Sequence, residues 1–168
     1  MKFEVQVHRN PYLQPRCAFD TLERCLSAEP IHDTIAALVC HGVFDRFPEL
    51  NFVFAHGGGS FHGTLGRIDH GHAVRPDLCQ SHTTARPSDY LKRFWVDSLV
   101  HDPAMLSLIV SRMGANRVCL GTDYPFPLGE LQPGELIESS SFDAETKELL
   151  LSGAALEAFH LKRERFLR

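Results

Sequence analysis

The sequence predicts an α/β fold in which parallel strands alternate with helices. Three observations support this prediction. Short apolar runs recur along the chain, and segments with apolar residues at helical spacing lie between them. Two of the runs end in a polar side chain followed by glycine or proline, which is typical of a strand that ends in a loop. Because parallel strands need a long crossover, usually a helix, this alternation favours a parallel sheet over hairpins.

Four segments have the character of strands. In the first, Phe3, Val5 and Val7 alternate with polar residues, which is the period of a strand with one buried face. The other three are short apolar runs, as expected of buried parallel strands. The four segments are 2–8, 51–56, 94–99 and 117–122. A closed (β/α)₈ barrel takes about 250 residues, so we expect this chain to form an incomplete barrel of about four parallel strands with flanking helices.

Helices are predicted between and after the strands. Asp102 followed by Pro103 is a strong helix start, and Gly114 is expected to end that helix. In the last segment Asp143 is expected to cap a helix and Gly153 to break it. The polar, proline-flanked stretch 75–87 is predicted to be a loop. The helical segments are 17–28, 31–47, 61–72, 103–113 and 133–168.

Composition and charge exclude several function classes. Hydrophobic residues make up 43% and charged residues 23%, which is typical of a soluble globular domain. The net charge is −4 and basic residues are scattered, so the sequence indicates neither a nucleic-acid surface nor a membrane surface. No window approaches the ~18 apolar residues of a membrane span. The five cysteines are odd in number and lack C-x-x-C spacing, which indicates reduced thiols and a cytosolic protein.

The segment around Asp123 is the first candidate site. Val118, Cys119 and Leu120 form an apolar run, and Asp123 follows within three residues. The run Tyr124-Pro125-Phe126-Pro127 then excludes both a helix and a continued central strand. Catalytic and ligand-binding groups gather at the C-terminal ends of parallel strands. A metal ligand, a general acid or base, and a simple cap of the next turn are all compatible with Asp123.

The segment around His56 has the same design. An apolar run over 51–55 leads into His56, and three glycines follow. The glycines allow unusual backbone angles and close approach, which a binding site needs more than a packing histidine does. The phosphate-binding patterns G-x-G-x-x-G and G-K-[ST] are absent. Taken alone, Arg67 on the next helix is compatible with a solvated surface arginine. Phe126 in the proline-rich loop is compatible with a hydrophobic side chain that plugs the loop.

Five motifs carry a family likeness. They read FAHGGG at 54–59, GRIDHG at 66–71, VRPDLC at 74–79, LVHDP at 99–103 and LGTDYPFPLGEL at 120–131. From about residue 29 to its end the chain resembles the C-terminal half of the 2-amino-3-carboxymuconate-6-semialdehyde decarboxylase family, within the amidohydrolase superfamily. The resemblance implies a distorted (β/α)₈ barrel with one divalent metal, usually Zn²⁺, and no organic cofactor. It also implies non-oxidative decarboxylation in tryptophan (kynurenine) catabolism, which limits quinolinate and NAD synthesis.

The resemblance also implies roles for particular residues. Asp123 matches the metal-ligand aspartate on the last strand, and His56 matches the histidine that acts as general acid and base. Arg67 matches an arginine that binds a substrate carboxylate across a homodimer interface. Phe126 matches an aromatic residue that lines the pocket. His8 matches the second histidine of the family's first-strand H-x-H metal pair.

The chain departs from the family pattern near its start. Gln6 stands in place of the first histidine of that pair, and an alternative alignment puts His8 on a later histidine-bearing strand. Segment 1–30 is divergent, and 31–168 corresponds to the C-terminal half of the barrel within one truncated domain, 1–168. Two alternatives follow. The chain could be a non-catalytic subunit that pairs with a full-length partner, or another amidohydrolase-family decarboxylase or hydrolase.

Overall fold

The sheet has three parallel strands in the computed structural model, which describes residues 28–80 and 82–166. The strands are β1 (Val53–Phe54), β2 (Trp95–Asp97) and β3 (Val118–Cys119), with β2 in the centre. Val53 pairs with Trp95, and Val96 pairs with Val118. The predicted parallel sheet is therefore confirmed for three strands, and the strand predicted over 2–8 lies outside the described residues.

Helices form most of the remaining regular structure. A π-helical turn over Leu149–Gly153 joins the last two of them. Short 3₁₀ segments lie at His56–Gly58, Pro87–Tyr90, Ala115–Arg117 and Arg163–Arg165. The helices are α1 (Ala28–Cys40), α2 (Val43–Arg46), α3 (Phe61–Val74), α4 (Pro76–Cys79), α5 (Pro103–Met113), α6 (Glu135–Glu138), α7 (Ala144–Glu148) and α8 (Ala154–Ala158).

No helix within the described ranges has the length and apolar character needed to cross a bilayer.

Three sequence predictions about helices were wrong. The helix predicted over 31–47 is divided, because Gly42 adopts a left-handed backbone (φ 61°) that ends α1 and caps α2. The stretch predicted as a loop over 75–87 contains α4, which has Pro76 in its first turn. Gly153 does not break the last helix; its φ of −58° and ψ of −47° are helical, and the π turn continues into α8.

The boundaries predicted for α5 are confirmed. Asp102 Oδ1 accepts a hydrogen bond from the N–H of Ala104 at 2.8 Å, which satisfies a donor of the first turn. Pro103 follows as the first helical residue, and Gly114 (φ 88°) lies just after the end. Asp143 caps α7 in the same way, through the N–H of Thr146.

The two faces of the sheet have different environments. Residues paired in register on parallel strands share a face, so Phe54, Val96 and Val118 point to one side. That side packs into the main core, together with buried residues of α1, α3 and α5, which include Ile35, Val39, Phe61, Leu65, Leu106, Ile109 and Met113. On the other side Trp95 and Cys119 pack against Ala154 and Ala158 of α8.

Candidate functional site

His56 and Asp123 come together at the C-terminal edge of the sheet. His56 follows β1 and Asp123 follows β3, on either side of the central strand. Nε2 of His56 lies 3.7 Å from Oδ1 of Asp123, and each side chain is 24% exposed. This separation is too long for a direct hydrogen bond, but it suits two groups arranged around one small ligand. Two residues remote in sequence therefore form a partly accessible pair.

The backbone after β1 turns through four consecutive left-handed residues. The φ angles are 55° at His56, 60° at Gly57, 76° at Gly58 and 63° at Gly59. Glycine adopts such angles without steric cost, whereas the histidine costs about 1–2 kcal/mol. A Cβ on Gly57 would lie 2.8 Å from Cδ1 of Ile109, so the chain also passes too close to α5 for any side chain there. The three glycines thus let the chain present His56 at the strand end.

The loop after β3 holds Asp123 in a similar way. Asp123 also has a positive φ, 53°. Its carbonyl oxygen accepts a hydrogen bond from the N–H of Phe126 at 2.8 Å, and the N–H of Glu130 donates to the carbonyl oxygen of Thr122 at 2.9 Å. These bonds close the proline-rich segment 123–130 into a compact loop. The loop fixes the backbone position from which the Asp123 carboxylate extends.

Asp97 is a second acidic residue at this edge and was not among the site residues predicted from the sequence. It ends β2, and its Oδ1 accepts hydrogen bonds from the N–H groups of Gly57 at 2.9 Å and Leu99 at 3.2 Å. Burial raises the pKa of Asp97, while backbone N–H groups of Gly57, Leu99 and His56 oppose that rise. The carboxyl group therefore bonds to the same turn that presents His56.

A sequence signal for Asp97 did exist. Like Asp123, it follows a short apolar run predicted to be a strand, here Trp95-Val96. Strand ends of a parallel sheet meet at one edge, so the rule that selected Asp123 applies equally to Asp97. The sequence did not reveal that the carboxyl group bonds to the backbone of another strand's loop.

An open cavity of about 490 Å³ adjoins these residues. Its volume falls in the usual range of small-molecule sites, roughly 300–1,000 Å³. Part of its wall is apolar, from β1 and α8, and part carries the carboxyl groups of the strand ends. Its lining includes Val53, Asp97, Cys119, Gly121, Asp123 and Phe159.

The other predicted site residues are not all brought to this pair. Arg67 is exposed on α3 and forms no ion pair with a described residue. Phe126 is 65% exposed on the loop after β3. His8 lies outside the described residues. Among the residues that the structure describes, no three His, Cys, Asp or Glu side chains are grouped so that they could hold a metal ion.

Comparison with known proteins finds one family model and relatives that share one name. A family model described as amidohydrolase matches residues 26–161. A 2-amino-3-carboxymuconate-6-semialdehyde decarboxylase from Dictyostelium discoideum is 54% identical over 134 residues, which are 79% of this chain and 37% of that protein. The protein of the same name from Caenorhabditis elegans is 43% identical over 118 residues, 70% of this chain and 29% of that protein. The chain thus spans about a third of the length of these relatives.

Solved structures share the fold over part of their length. A 5-carboxyvanillate decarboxylase from Sphingomonas paucimobilis is 25% identical with a TM-score of 0.67, over 76% of this chain and 38% of that one. A dihydroxybenzoic acid decarboxylase from Polaromonas, solved with bound manganese and the inhibitor 2-nitroresorcinol, is 20% identical with a TM-score of 0.69. That match covers 92% of this chain and 51% of the other. The three-stranded sheet and its helices therefore occur within larger chains.

Proposed function

The chain belongs to the amidohydrolase family, and we propose from this that it carries the C-terminal part of a metal-dependent, non-oxidative decarboxylase site. The proposed substrate is 2-amino-3-carboxymuconate 6-semialdehyde, on which the step would limit quinolinate and NAD synthesis in cytosolic tryptophan catabolism. The observation that carries the proposal is the 3.7 Å approach of His56 Nε2 to Asp123 Oδ1 at the C-terminal edge of the sheet. Identity of 54% to a protein of that name supports the substrate class.

The proposed domain assignment follows the same relatives. Residues 31–168 correspond to the C-terminal half of a barrel, and 1–30 form a divergent N-terminal segment of the same single domain. The parallel order β1-β2-β3, with helices packed on the sheet, supports the first part of this assignment.

His56 is the proposed general acid and base. An imidazole exchanges protons near neutral pH, and Nε2 of His56 lies 3.7 Å from Oδ1 of Asp123, a residue that lines the cavity. In the proposed reaction this nitrogen takes a proton from the water that adds to the conjugated chain of the substrate. It returns that proton to the carbon that bears the carboxylate. When carbon dioxide leaves this carbon, the electron pair of the broken C–C bond re-forms the double bond and the added hydroxyl group departs as hydroxide.

Asp123 is the proposed protein ligand for a divalent metal, with Zn²⁺ as the proposed ion and His8 as a second ligand. The described residues fit such an ion only in part, because catalytic zinc sites take three protein ligands and no group of three is present among them. When bound, a divalent ion supplies Lewis acidity that makes water more acidic. The part of the site described here supplies the carboxylate and the adjacent imidazole.

Arg67 and Phe126 are the proposed substrate contacts. Arg67 is exposed and has no acidic partner among the described residues, so its guanidinium is available for a bidentate bond to a carboxylate. We propose that it binds the substrate carboxylate in a neighbouring subunit of a homodimer, or of a dimer with a full-length subunit. Phe126, exposed beside Asp123, would line the pocket.

Purified protein with and without substitutions tests this proposal. We expect zinc or manganese by elemental analysis and loss of substrate absorbance on mixing. His56→Ala and Asp123→Ala should each lower kcat/KM at least ~100-fold, the usual scale for a general acid–base group or a metal site. His70→Ala, a histidine exposed on α3, is the matched control and should keep full activity. Metal-free wild-type protein without turnover would contradict the proposal.

A second candidate function is a non-catalytic subunit. One observation favours it: no group of three metal-binding side chains exists among the described residues. Co-expression with a full-length subunit separates the two functions. A stable mixed dimer with altered activity supports this second role, and no association removes it.

A third candidate is another decarboxylase or hydrolase of the amidohydrolase family. Solved relatives with the same fold are named for 5-carboxyvanillate and dihydroxybenzoic acid. The substrate assay therefore includes an aromatic carboxylate of each kind, and turnover of one of these alone would favour this candidate.

A further inference from the structure

We propose that Asp97 is a positioning residue for His56. The carboxyl group of Asp97 holds the left-handed turn after β1 and thereby sets the distance between His56 and Asp123. The inference rests on the proposed function only for the identification of His56 as the acid–base group. The contacts that carry it are independent of metal and substrate.

Asp97 is placed to act on both loops because β2 is the central strand. β1 lies on one side of it and β3 on the other, and Asp97 is the last residue of the strand. Its Oδ1 reaches the loop of β1, where it accepts the N–H of Gly57 at 2.9 Å. The same oxygen accepts the N–H of Leu99 at 3.2 Å, which turns the chain immediately after β2.

These hydrogen bonds select the backbone conformation of the turn. The φ angles of His56 and Gly57 are 55° and 60°. Non-glycine residues such as His56 rarely adopt a positive φ unless other contacts stabilise it. The backbone N–H of His56 also faces this carboxyl group closely enough to oppose the rise in its pKa that burial causes. A charged acceptor forms stronger bonds to backbone N–H groups than a neutral one, and a partly buried site strengthens them further. Without Asp97, the amides of Gly57 and Leu99 would lose their shared acceptor.

The position of Asp97 is in turn defined by β3. A Cβ on Gly121 would lie 2.5 Å from Oδ2 and 2.7 Å from Cγ of Asp97, so the carboxyl group packs directly on the glycine backbone. Gly121 is two residues before Asp123 in the same segment. One carboxyl group therefore bonds to the turn of His56 and packs against the strand end that carries Asp123.

Four variants of the full chain test the proposal. Asp97→Ala removes the acceptor, whereas Asp97→Asn keeps an oxygen that can accept from Gly57 and Leu99. Gly121→Ala displaces the unaltered carboxyl group. Gly66→Ala on α3 is the control, since nothing lies within 4 Å of its Cβ position. The readouts are the hydrogen-exchange rate of the Gly57 amide, the nuclear Overhauser effect between the His56 ring and the Asp123 β protons, and global stability in urea.

We expect Asp97→Ala and Gly121→Ala to raise Gly57 exchange at least ~10-fold beyond the change in global stability, the scale of one lost hydrogen bond. Both should lose the His56–Asp123 Overhauser effect. Asp97→Asn should retain the effect, and Gly66→Ala should match the wild type. If Asp97→Ala fails to fold, the Gly121→Ala and Asp97→Asn pair decides the question.

The proposal is overturned if the effect persists in Asp97→Ala or Gly121→Ala, or if Asp97→Asn loses it as fully as Asp97→Ala. Kinetics give a separate readout in which Asp97→Ala lowers kcat while KM stays within about twofold. Wild-type protein that holds no metal and does not turn over would defeat the proposed function, yet the exchange and Overhauser results would still decide the role of Asp97.

Discussion

At the scale of single residues, the site depends on backbone angles that side-chain chemistry alone would not indicate. His56 and Asp123 both have φ near 55°. Each is followed by residues that tolerate or enforce a sharp turn, three glycines in one case and a proline-rich loop in the other. The turns bring these two polar side chains together at the C-terminal edge of the sheet. There the carboxyl group of Asp97 accepts a hydrogen bond from the backbone of the first turn, at Gly57.

Gly57 is the residue at which this backbone requirement is most easily tested. Gly57→Ala places a Cβ at φ 60° and within 2.8 Å of Ile109, so we expect a loss of at least ~2 kcal/mol in unfolding free energy. Gly63→Ala, on α3 with nothing within 4 Å, is the matched control and should stabilise the protein by ~0.5–1 kcal/mol. Urea denaturation measures both, and equal effects of the two substitutions would contradict the explanation.

His62 makes stability depend on pH. It is fully buried, neither ring nitrogen has a hydrogen-bond partner within residues 28–80 and 82–166, and its carbonyl oxygen accepts a bond from Arg112. Burial, and secondarily the charge of Arg112, lower the pKa of His62 from 6.5 to about 4. Between these values the unfolded chain binds a proton that the folded chain does not, so the stability contribution falls as pH decreases from 6.5 towards 4.

The expected size of this effect follows from the two pKa values. Lowering the pH from 7 to 5 should cost the wild type about 2 kcal/mol more than it costs His62→Leu. His70→Leu, an exposed histidine on the same helix, should behave as the wild type. Urea midpoints at both pH values test this, and identical pH dependence in wild type and His62→Leu would show that His62 does not titrate as described.

At the scale of elements, a helix could be predicted correctly where capping residues flank a segment with apolar residues at helical spacing. For α5, the apolar spacing and the two caps predict the same helix, from Pro103 to Met113, and the structure has this helix. Where capping and spacing conflict, the tertiary environment decides. Gly42 ends α1 within a stretch that still has helical spacing, because its backbone is left-handed (φ 61°). A Cβ there would lie 2.9 Å from the carbonyl oxygen of His82, so the position favours glycine. Gly153 remains helical despite its low propensity.

Asp102 should contribute a measurable part of the stability of α5. Asp102→Ala removes the side-chain acceptor for the N–H of Ala104, so we expect a loss of ~1 kcal/mol. Asp102→Asn keeps the cap and is the control, with a change of at most a few tenths of a kcal/mol. Thermal and urea unfolding followed by circular dichroism measure the difference. A loss as large in Asp102→Asn would indicate that charge, and not capping, is the cause.

At the scale of the whole molecule, apolar side chains remain exposed beside the site. On the loop after β3 and just beyond it, Tyr124 is 87%, Phe126 65% and Leu131 97% exposed. Contiguous exposed apolar surface is characteristic of interaction sites. This surface is where we expect the proposed dimer to bury apolar side chains.

Leu131→Ser tests whether this surface associates. Its side chain makes little contact within the chain, so we expect the urea midpoint to stay within the equivalent of ~0.5 kcal/mol. Concentration-dependent self-association, measured by sedimentation velocity, should weaken. Ser107→Ala, an exposed position on α5, is the control and should leave association unchanged. Wild-type protein that is monomeric at all concentrations would contradict the proposed homodimer.

The α/β class, the three described strands, the ends of α5, and the positions of His56 and Asp123 at strand ends could all be predicted from the sequence. Each of these follows from local periodicity and from glycine and proline, whose backbone preferences do not depend on distant parts of the chain. Three features could be read only from the folded structure: the two side chains lie 3.7 Å apart, Asp97 bonds to the turn of another strand, and the buried ring nitrogens of His62 have no hydrogen-bond partner among the described residues. The reason is physical: these features depend on distances and solvent exclusion between segments that meet only when the sheet assembles.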